Sequence, residues 1–231
     1  MPKVSVIMGI YNTFKKEFLE KSISSILNQT YTDFEFIICD DGSTNECFLW
    51  AREMCQKDKR CKLIKNEQNM GLSFTLNKCL KIAKGEYIAR MDDDDIAEKT
   101  RLEKQVSFLD NNNQYGVVAS NATLFDDSGV YGQLVYPEII KKESFLFGNP
   151  IIHPSVLVRK KAYDMVGGYR DLKRTNRVED YDLFMRMFAA NIKIYVMQEK
   201  MLNYRQDSYS LKKRKFKYKI NECIIRATRF L

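Results

Sequence analysis

Two apolar runs of strand length in this sequence end in clusters of aspartate. Residues 34–39 (Phe-Glu-Phe-Ile-Ile-Cys) lead straight into Asp40-Asp41-Gly42-Ser43, and residues 86–91 (Glu-Tyr-Ile-Ala-Arg-Met) into Asp92-Asp93-Asp94-Asp95. A short apolar run bounded by polar residues reads as a buried strand, and unpaired carboxylates cannot follow it into a core. Each cluster therefore marks a strand tip. A third run, 4–10, is followed by the loop Tyr11-Asn12-Thr13. Between the runs, Leu19, Ile23, Ile26 and Leu27 predict an amphipathic helix over 17–29. Leu72, Leu76, Cys79, Leu80 and Ala83 mark another, begun after the break at Asn69-Met70-Gly71 and closed by Lys84-Gly85. A polar helix over 46–57 and a short strand at 63–64 complete the series. Strands alternating with helices predict an α/β fold with an open, mostly parallel central sheet covered by helices on both faces. Such sheets bind ligands outside the carboxyl ends of their strands, where both aspartate clusters fall.

Beyond residue 110 the pattern loosens. It predicts strands near 117–118, 156–158 and 192–196, extended chain to Tyr136, and helices over 138–147 and 181–190. No repeat, low-complexity linker or second-domain boundary interrupts it, so residues 1–210 read as one domain and 211–231 as a basic tail. With 45% hydrophobic residues among 231, the chain can bury a sizeable core, which excludes a disordered or disulfide-stapled scaffold. It has no apolar stretch of membrane-span length and no signal-peptide pattern at its start, so it reads as cytosolic. Six cysteines without C-x-x-C spacing and a single histidine, His153, argue against zinc and for free thiols.

The net charge of +8 is concentrated at one end. Nine basic and two acidic residues lie from Arg205 onward, leaving 29 basic and 28 acidic residues before it. Leu211, Phe216, Tyr218, Ile220, Ile224 and Ile225 interleave with the lysines and arginines. That mixture suits a peripheral contact with an anionic membrane surface, and equally a solvated terminal helix or a disordered end. A nearly neutral body offers no face for nucleic acid.

Four adjacent aspartates raise one another's pKa unless a cation sits among them. Hard oxygen ligands favour Mg²⁺ or Mn²⁺, which meet proteins through one or two carboxylates plus substrate phosphates. The implied substrate carries a diphosphate, yet no Gly-x-Gly-x-x-Gly or Gly-Lys-Ser/Thr loop is present. Strand-end carboxylates with a metal point to a nucleotide-sugar enzyme. Taken singly, Asp40 to Ser43 also suits a turn with a helix cap, and Asp92 to Asp95 a solvated loop or helix start. Their joint position at strand ends favours the site.

These segments resemble family-2 glycosyltransferases. The resemblance is carried by Val-Ser-Val-Ile-Met-Gly-Ile-Tyr-Asn, Ser24 to Tyr31, Phe34 to Ser43, Asn69-Met70-Gly71-Leu72, Ala83 to Ile88 and Arg90-Met91-Asp92-x-Asp94-Asp95, and it covers roughly residues 3–210. It implies a GT-A fold, a nucleotide-diphospho-sugar donor and inversion at the anomeric carbon. It implies Asp40 as the aspartate holding the nucleobase, with Asp41 beside the uridine region, Asp92 facing the ribose and Asp94 coordinating the metal. Asp93 stands where relatives often have a small residue, which blurs the individual roles of 92–95. Asp95 is expected to cap the next element or support the site.

On the acceptor side, Glu179-Asp180-Tyr181-Asp182 resembles the family's Glu-Asp motif, implying Asp180 as general base and Glu179 as an acceptor-binding or supporting acid. His153, in Ile-His-Pro-Ser, is implied to lie near the site, against the diphosphate or the acceptor. Arg205 is implied near the donor phosphates, although the histidine that often follows it is absent here. The expected acceptor is a glycan or lipid-linked sugar at the inner membrane face. Two rivals stand beside this reading. One is a sugar-nucleotide pyrophosphorylase, which would need a glycine-rich basic loop where Tyr11-Asn12-Thr13 stands. The other is a non-catalytic module that binds an anionic membrane or nucleic acid through its tail.

Overall fold

The computed structural model describes residues 1–172, 175, 177–206, 220–221 and 223–226. Nine strands form one sheet in the order β3-β2-β1-β4-β8-β6-β9-β5, with β7 paired to β6. The first four are β1 (Val4–Ile10), β2 (Phe34–Asp40), β3 (Cys61–Lys65) and β4 (Tyr87–Arg90), all parallel. β8 (Leu157–Arg159) runs antiparallel between β4 and β6 (Tyr115–Asp126), which restores the original direction. β9 (Lys193–Arg205) is parallel to β6, while β7 (Gly129–Leu134) and the short β5 (Ile96–Ala97) oppose their neighbours. Six strands thus point one way, so their carboxyl ends share one edge.

Alternation along the strands divides the core in two. Val4, Val6, Met8 and Ile10 of β1 face α1 (Lys16–Leu27), α2 (Cys47–Cys55) and α4 (Arg101–Asn111). Ile7, with Ile37 of β2 and Ile88 of β4, faces α3 (Leu72–Ile82), α5 (Lys160–Val166) and α6 (Glu179–Ala189). Helices therefore cover both faces of a largely parallel sheet, as the alternating apolar pattern predicts.

Differences from the sequence reading lie in the second half. The helix expected over 138–147 is an isolated bridge at Ile139 followed by a 3₁₀ turn, Lys142–Phe147. Strand pairing takes its first residues: Val196 N–H donates to Glu138 O at 2.8 Å, and Ile140 N–H to Ile194 O at 3.5 Å. The strand expected at 192–196 runs on to Arg205 because β6 pairs with it along most of its length. α4 and α5 are additional to the helices read from periodicity. The basic run at 212–219 lies outside the described residues. Of the C-terminal segment, Ile225 is buried in the core beside Tyr181, and Arg226 Nε donates to Tyr181 Oη at 3.3 Å. Among the described residues no helix is long and apolar enough to cross a membrane.

Candidate active site

β1 lies between β2 and β4, with Ile10 opposite Asp40 and Ile7 opposite Arg90. Both aspartate clusters therefore emerge beside the end of β1, and the loop after it ties them together. Asn12 N–H donates to Ser43 Oγ at 2.9 Å, while Asn12 Oδ1 accepts from Thr44 N–H at 2.9 Å. Thr13 Oγ1 donates to Asp93 Oδ2 at 2.5 Å. Ser22, in the second turn of α1, donates to the Asp92 carbonyl at 2.6 Å. Asp40 and Asp94 accordingly belong to one rim. A cavity of about 440 Å³ at the amino end of β1 and β4, lined by Lys3, Asp33, Glu86 and Arg159, touches none of these residues.

At the end of β2 the chain supplies its own donors. Asp40, fully buried, accepts from Ser43 N–H at 3.1 Å and pairs with Lys65 at 3.3 Å. Asp41 Oδ1 accepts from Met70 N–H and Asn66 Nδ2, both at 2.8 Å, and its Oδ2 from Gly71 N–H at 2.9 Å. These bonds draw the 66–71 loop over the strand end. Gly42 permits the approach: it has φ +72°, and a Cβ there would lie 2.6 Å from Gln68 Cα.

The end of β4 is short of donors. Burial pushes the Asp93 carboxyl up to about 6 despite the bond from Thr13. Burial, then the charges of Asp93 and Asp92, hold Asp94 well above the usual carboxylate range; Arg205 partly opposes them. Asp95 is likewise raised by burial and by Asp94 and Asp92. Asp95 Oδ1 accepts the Arg205 N–H at 2.8 Å, but its buried Oδ2 has no partner. Asp95 thus anchors the end of β9 rather than capping a helix. Among the described residues no three His, Cys, Asp or Glu side chains converge to enclose an ion. The donor set still fits Mg²⁺ or Mn²⁺ held by one or two carboxylates plus substrate phosphates, since a cation there would relieve the raised Asp94 and the orphaned oxygen.

Across the rim, Glu179 and Asp180 begin α6, so Asp180 lies inside the helix, with Val178 at the cap position. Asp180 Oδ2 accepts from Asn149 Nδ2 and Oδ1 from Tyr181 N–H, both at 2.8 Å. Burial raises the Asp180 carboxyl against those bonds, and the charge of Asp92 adds to the rise. Burial and Asp180 push Glu179 up to about 7. The charge of Asp92 is felt at Asp180, so the two carboxylates lie within electrostatic range of each other. Arg205 stacks on Phe18, 3.7 Å from the ring centroid, and its Nη1 bonds Asp127 Oδ1 at 2.8 Å, leaving a buried Nε unpartnered. His153 is buried in the turn His153–Ser155, with Nε2 2.7 Å from Tyr169 Oη. Burial, with the Arg90 charge adding, holds its imidazole well below the ordinary value. His153 is therefore a neutral residue of the floor.

Sequence reasoning assigned no role to Thr13, Ser22, Asn149 or Tyr169. Each is a common polar residue whose partner lies far along the chain, so no local spacing could single it out. Arg90 stood inside a quoted motif, yet its burial was not legible.

Comparison with known proteins agrees with this geometry. Residues 5–167 match the Glycosyl transferase family 2 model. The chain is 42% identical over 225 residues to EpsE of Bacillus subtilis (strain 168), covering 97% of this chain and 80% of that protein. It is 30% identical over 223 residues to an Escherichia coli protein, WfaP, covering 96% of this chain and 84% of that one. WfaP is described as a UDP-Glc:alpha-D-GlcNAc-diphosphoundecaprenol beta-1,3-glucosyltransferase. The fold superposes on residues 1–349 of S. aureus TarS in complex with UDP-GlcNAc, with TM-score 0.78 and 19% identity, over 96% of this chain and 65% of that one. The architecture is thus that of the GT-A glycosyltransferases. The chain belongs to glycosyl transferase family 2 and is a glycosyltransferase.

Proposed function

We propose that this chain is an inverting, divalent-metal-dependent glycosyltransferase that moves a sugar from a UDP-sugar to a hydroxyl of a glycan or lipid-linked oligosaccharide. The observation that carries the reading is the gathering of Asp92 to Asp95 beyond β4, on a rim tied to the loop after β1, with the charge of Asp92 reaching Asp180. A donor carboxylate and a candidate base must face the same anomeric carbon for a single displacement.

The loop 11–13, tied to Ser43 and Thr44, and the loop 66–71, held by Asp41, form the walls that take the nucleobase. Asp92 and Asp93 line the ribose and diphosphate, and Arg205 faces the phosphates from the Asp94 side. Asp94 is the carboxylate that would hold Mg²⁺ or Mn²⁺. When bound, the ion supplies positive charge against the departing diphosphate. Asp180 takes the proton from the acceptor hydroxyl as that oxygen attacks. Its raised carboxyl is a stronger base than an ordinary aspartate, and Asn149 fixes its orientation. Glu179 shares the acceptor side, its own carboxyl raised by burial and by the charge of Asp180.

The diphosphoundecaprenol in the description of WfaP supports a lipid-diphosphate acceptor at the inner membrane face. The basic tail at 211–231, mostly outside the described residues, would hold the enzyme against anionic lipid there. Asp180→Asn tests the assignment. UDP affinity should stay within about twofold while transfer falls by the ~10²–10⁴-fold that general-base loss produces. A fall below tenfold would place the base elsewhere.

A further inference from the structure

Arg90 ends β4 with a side chain completely shielded from solvent. One nitrogen, Nη2, bonds Asp92 Oδ1, while Nε and Nη1 have no partner. A buried donor without an acceptor is destabilising, and such groups in a folded protein call for an explanation. Packing supplies none here, because an apolar side chain of similar volume would fill this space without the penalty.

The surroundings suggest a role. Arg90 N–H donates to Val156 O at 3.1 Å, which places it beside the turn carrying His153. The guanidinium acts electrostatically on His153, Tyr163 and Tyr169. These three form a buried chain, with His153 Nε2 2.7 Å and Tyr163 Oη 3.2 Å from Tyr169 Oη. Tyr169 is held from both sides by Asn77, whose Nδ2 donates to Tyr169 O at 2.8 Å and whose Oδ1 accepts Tyr169 N–H at 2.9 Å. Gly168, at φ +69°, leaves room for this clamp, since a Cβ would lie 2.6 Å from Asn77 Oδ1. The same loop is tied to α6: Arg186 donates to Val166 O at 2.6 Å and Gly168 O at 2.8 Å while bonding Asp182 at 2.7 Å. Asp182 lies two residues beyond Asp180, in the first turn of that helix.

We propose that Arg90 is a positioning residue that couples the donor carboxylate Asp92 to α6 and its base Asp180, through Tyr169 and the loop at 166–170. This rests on the assignment of Asp92 and Asp180 to donor and acceptor. Its consequence is that donor binding and base placement depend on one buried cation, so a change at Arg90 disturbs both. Such coupling runs through packed groups with a defined arrangement.

The test compares Arg90→Met, Tyr169→Phe and the double variant in donor KM, kcat and amide hydrogen exchange of the ligand-free protein, with Arg90→Lys as the milder substitution should the methionine variant fail to fold. Arg90→Met should raise donor KM and lower kcat, each at least tenfold. Tyr169→Phe should lower kcat with KM within twofold, and the double variant should be no slower than Arg90→Met. Exchange in Arg90→Met should quicken at 166–182 as well as at 92–95, and Arg90→Lys should recover part of kcat. Multiplicative kinetic effects, or faster exchange confined to 92–95, would overturn the coupling. If the native enzyme transfers no sugar from any nucleotide donor, the proposed function fails, and hydrogen exchange still decides whether Arg90 joins the two regions.

Discussion

Asp41, at the end of β2, accepts three hydrogen bonds from Asn66, Met70 and Gly71, whereas Asp95, beyond the end of β4, keeps a buried oxygen with no donor at all. The two segments read almost alike, each an apolar strand followed by aspartates. One is architecture and the other is unfinished. At β2 the protein completes its own carboxylates and so fixes a loop. At β4 it gathers carboxylates, and burial holds Asp93, Asp94 and Asp95 above the usual carboxylate range. The lesson is that donors around an aspartate, rather than its place in a motif, decide whether it holds the fold or awaits a ligand.

Opposite effects on stability would sharpen this contrast. Asp41→Ala removes the acceptor of two backbone N–H groups and one side-chain amide. Asn66 is the one buried residue among these donors, so at about 1–3 kcal/mol for a buried donor left unsatisfied unfolding in urea should show a loss of roughly 1–3 kcal/mol. A loss under about 0.5 kcal/mol would show that the 66–71 loop does not depend on Asp41.

The effect of Asp94→Asn should be smaller and of opposite sign. A carboxyl whose folded pKa is raised leaves stability unaffected below the ordinary aspartate value of about 3.9. As pH climbs above that value the unfolded chain ionises first, so the folded state loses relative stability until the folded group ionises too. The melting temperature of ligand-free Asp94→Asn should therefore match that of the native protein near pH 4 and exceed it increasingly toward pH 8. An equal or lower melting temperature at pH 8 would break the comparison, because Asp94 would then be satisfied as Asp41 is.

The parallel half of the fold was legible because its strands are continuous apolar runs and its helices show one apolar stripe each. β1 has the predicted bounds, and β2 and α3 lie within a residue or so of theirs. The second half was less legible because tertiary pairing overrides local pattern there. Glu138 and Ile140 bond to β9 instead of starting a helix, and β9 extends because β6 lies beside it. Near the site, the sequence showed Asp40 at the end of β2 and the aspartates 92–95 just beyond β4, while Asp180 lies inside α6 rather than ahead of it. It could not distinguish satisfied from unsatisfied carboxylates, since the donors to Asp41 come from 25 to 30 residues away and Arg205 reaches Asp95 across 110. It also could not show that His153 is buried and bonded to Tyr169.

The central claim is that the aspartates beyond β4 become a binding site only together with a cation and a nucleoside diphosphate. Isothermal titration of UDP into the native protein and into Asp94→Asn, each with and without Mn²⁺, tests it most directly. The native protein should bind UDP at least tenfold more tightly with Mn²⁺ than without, and Asp94→Asn should lose that difference. Equal UDP affinity with and without the ion, or an undiminished Mn²⁺ effect in Asp94→Asn, would contradict it.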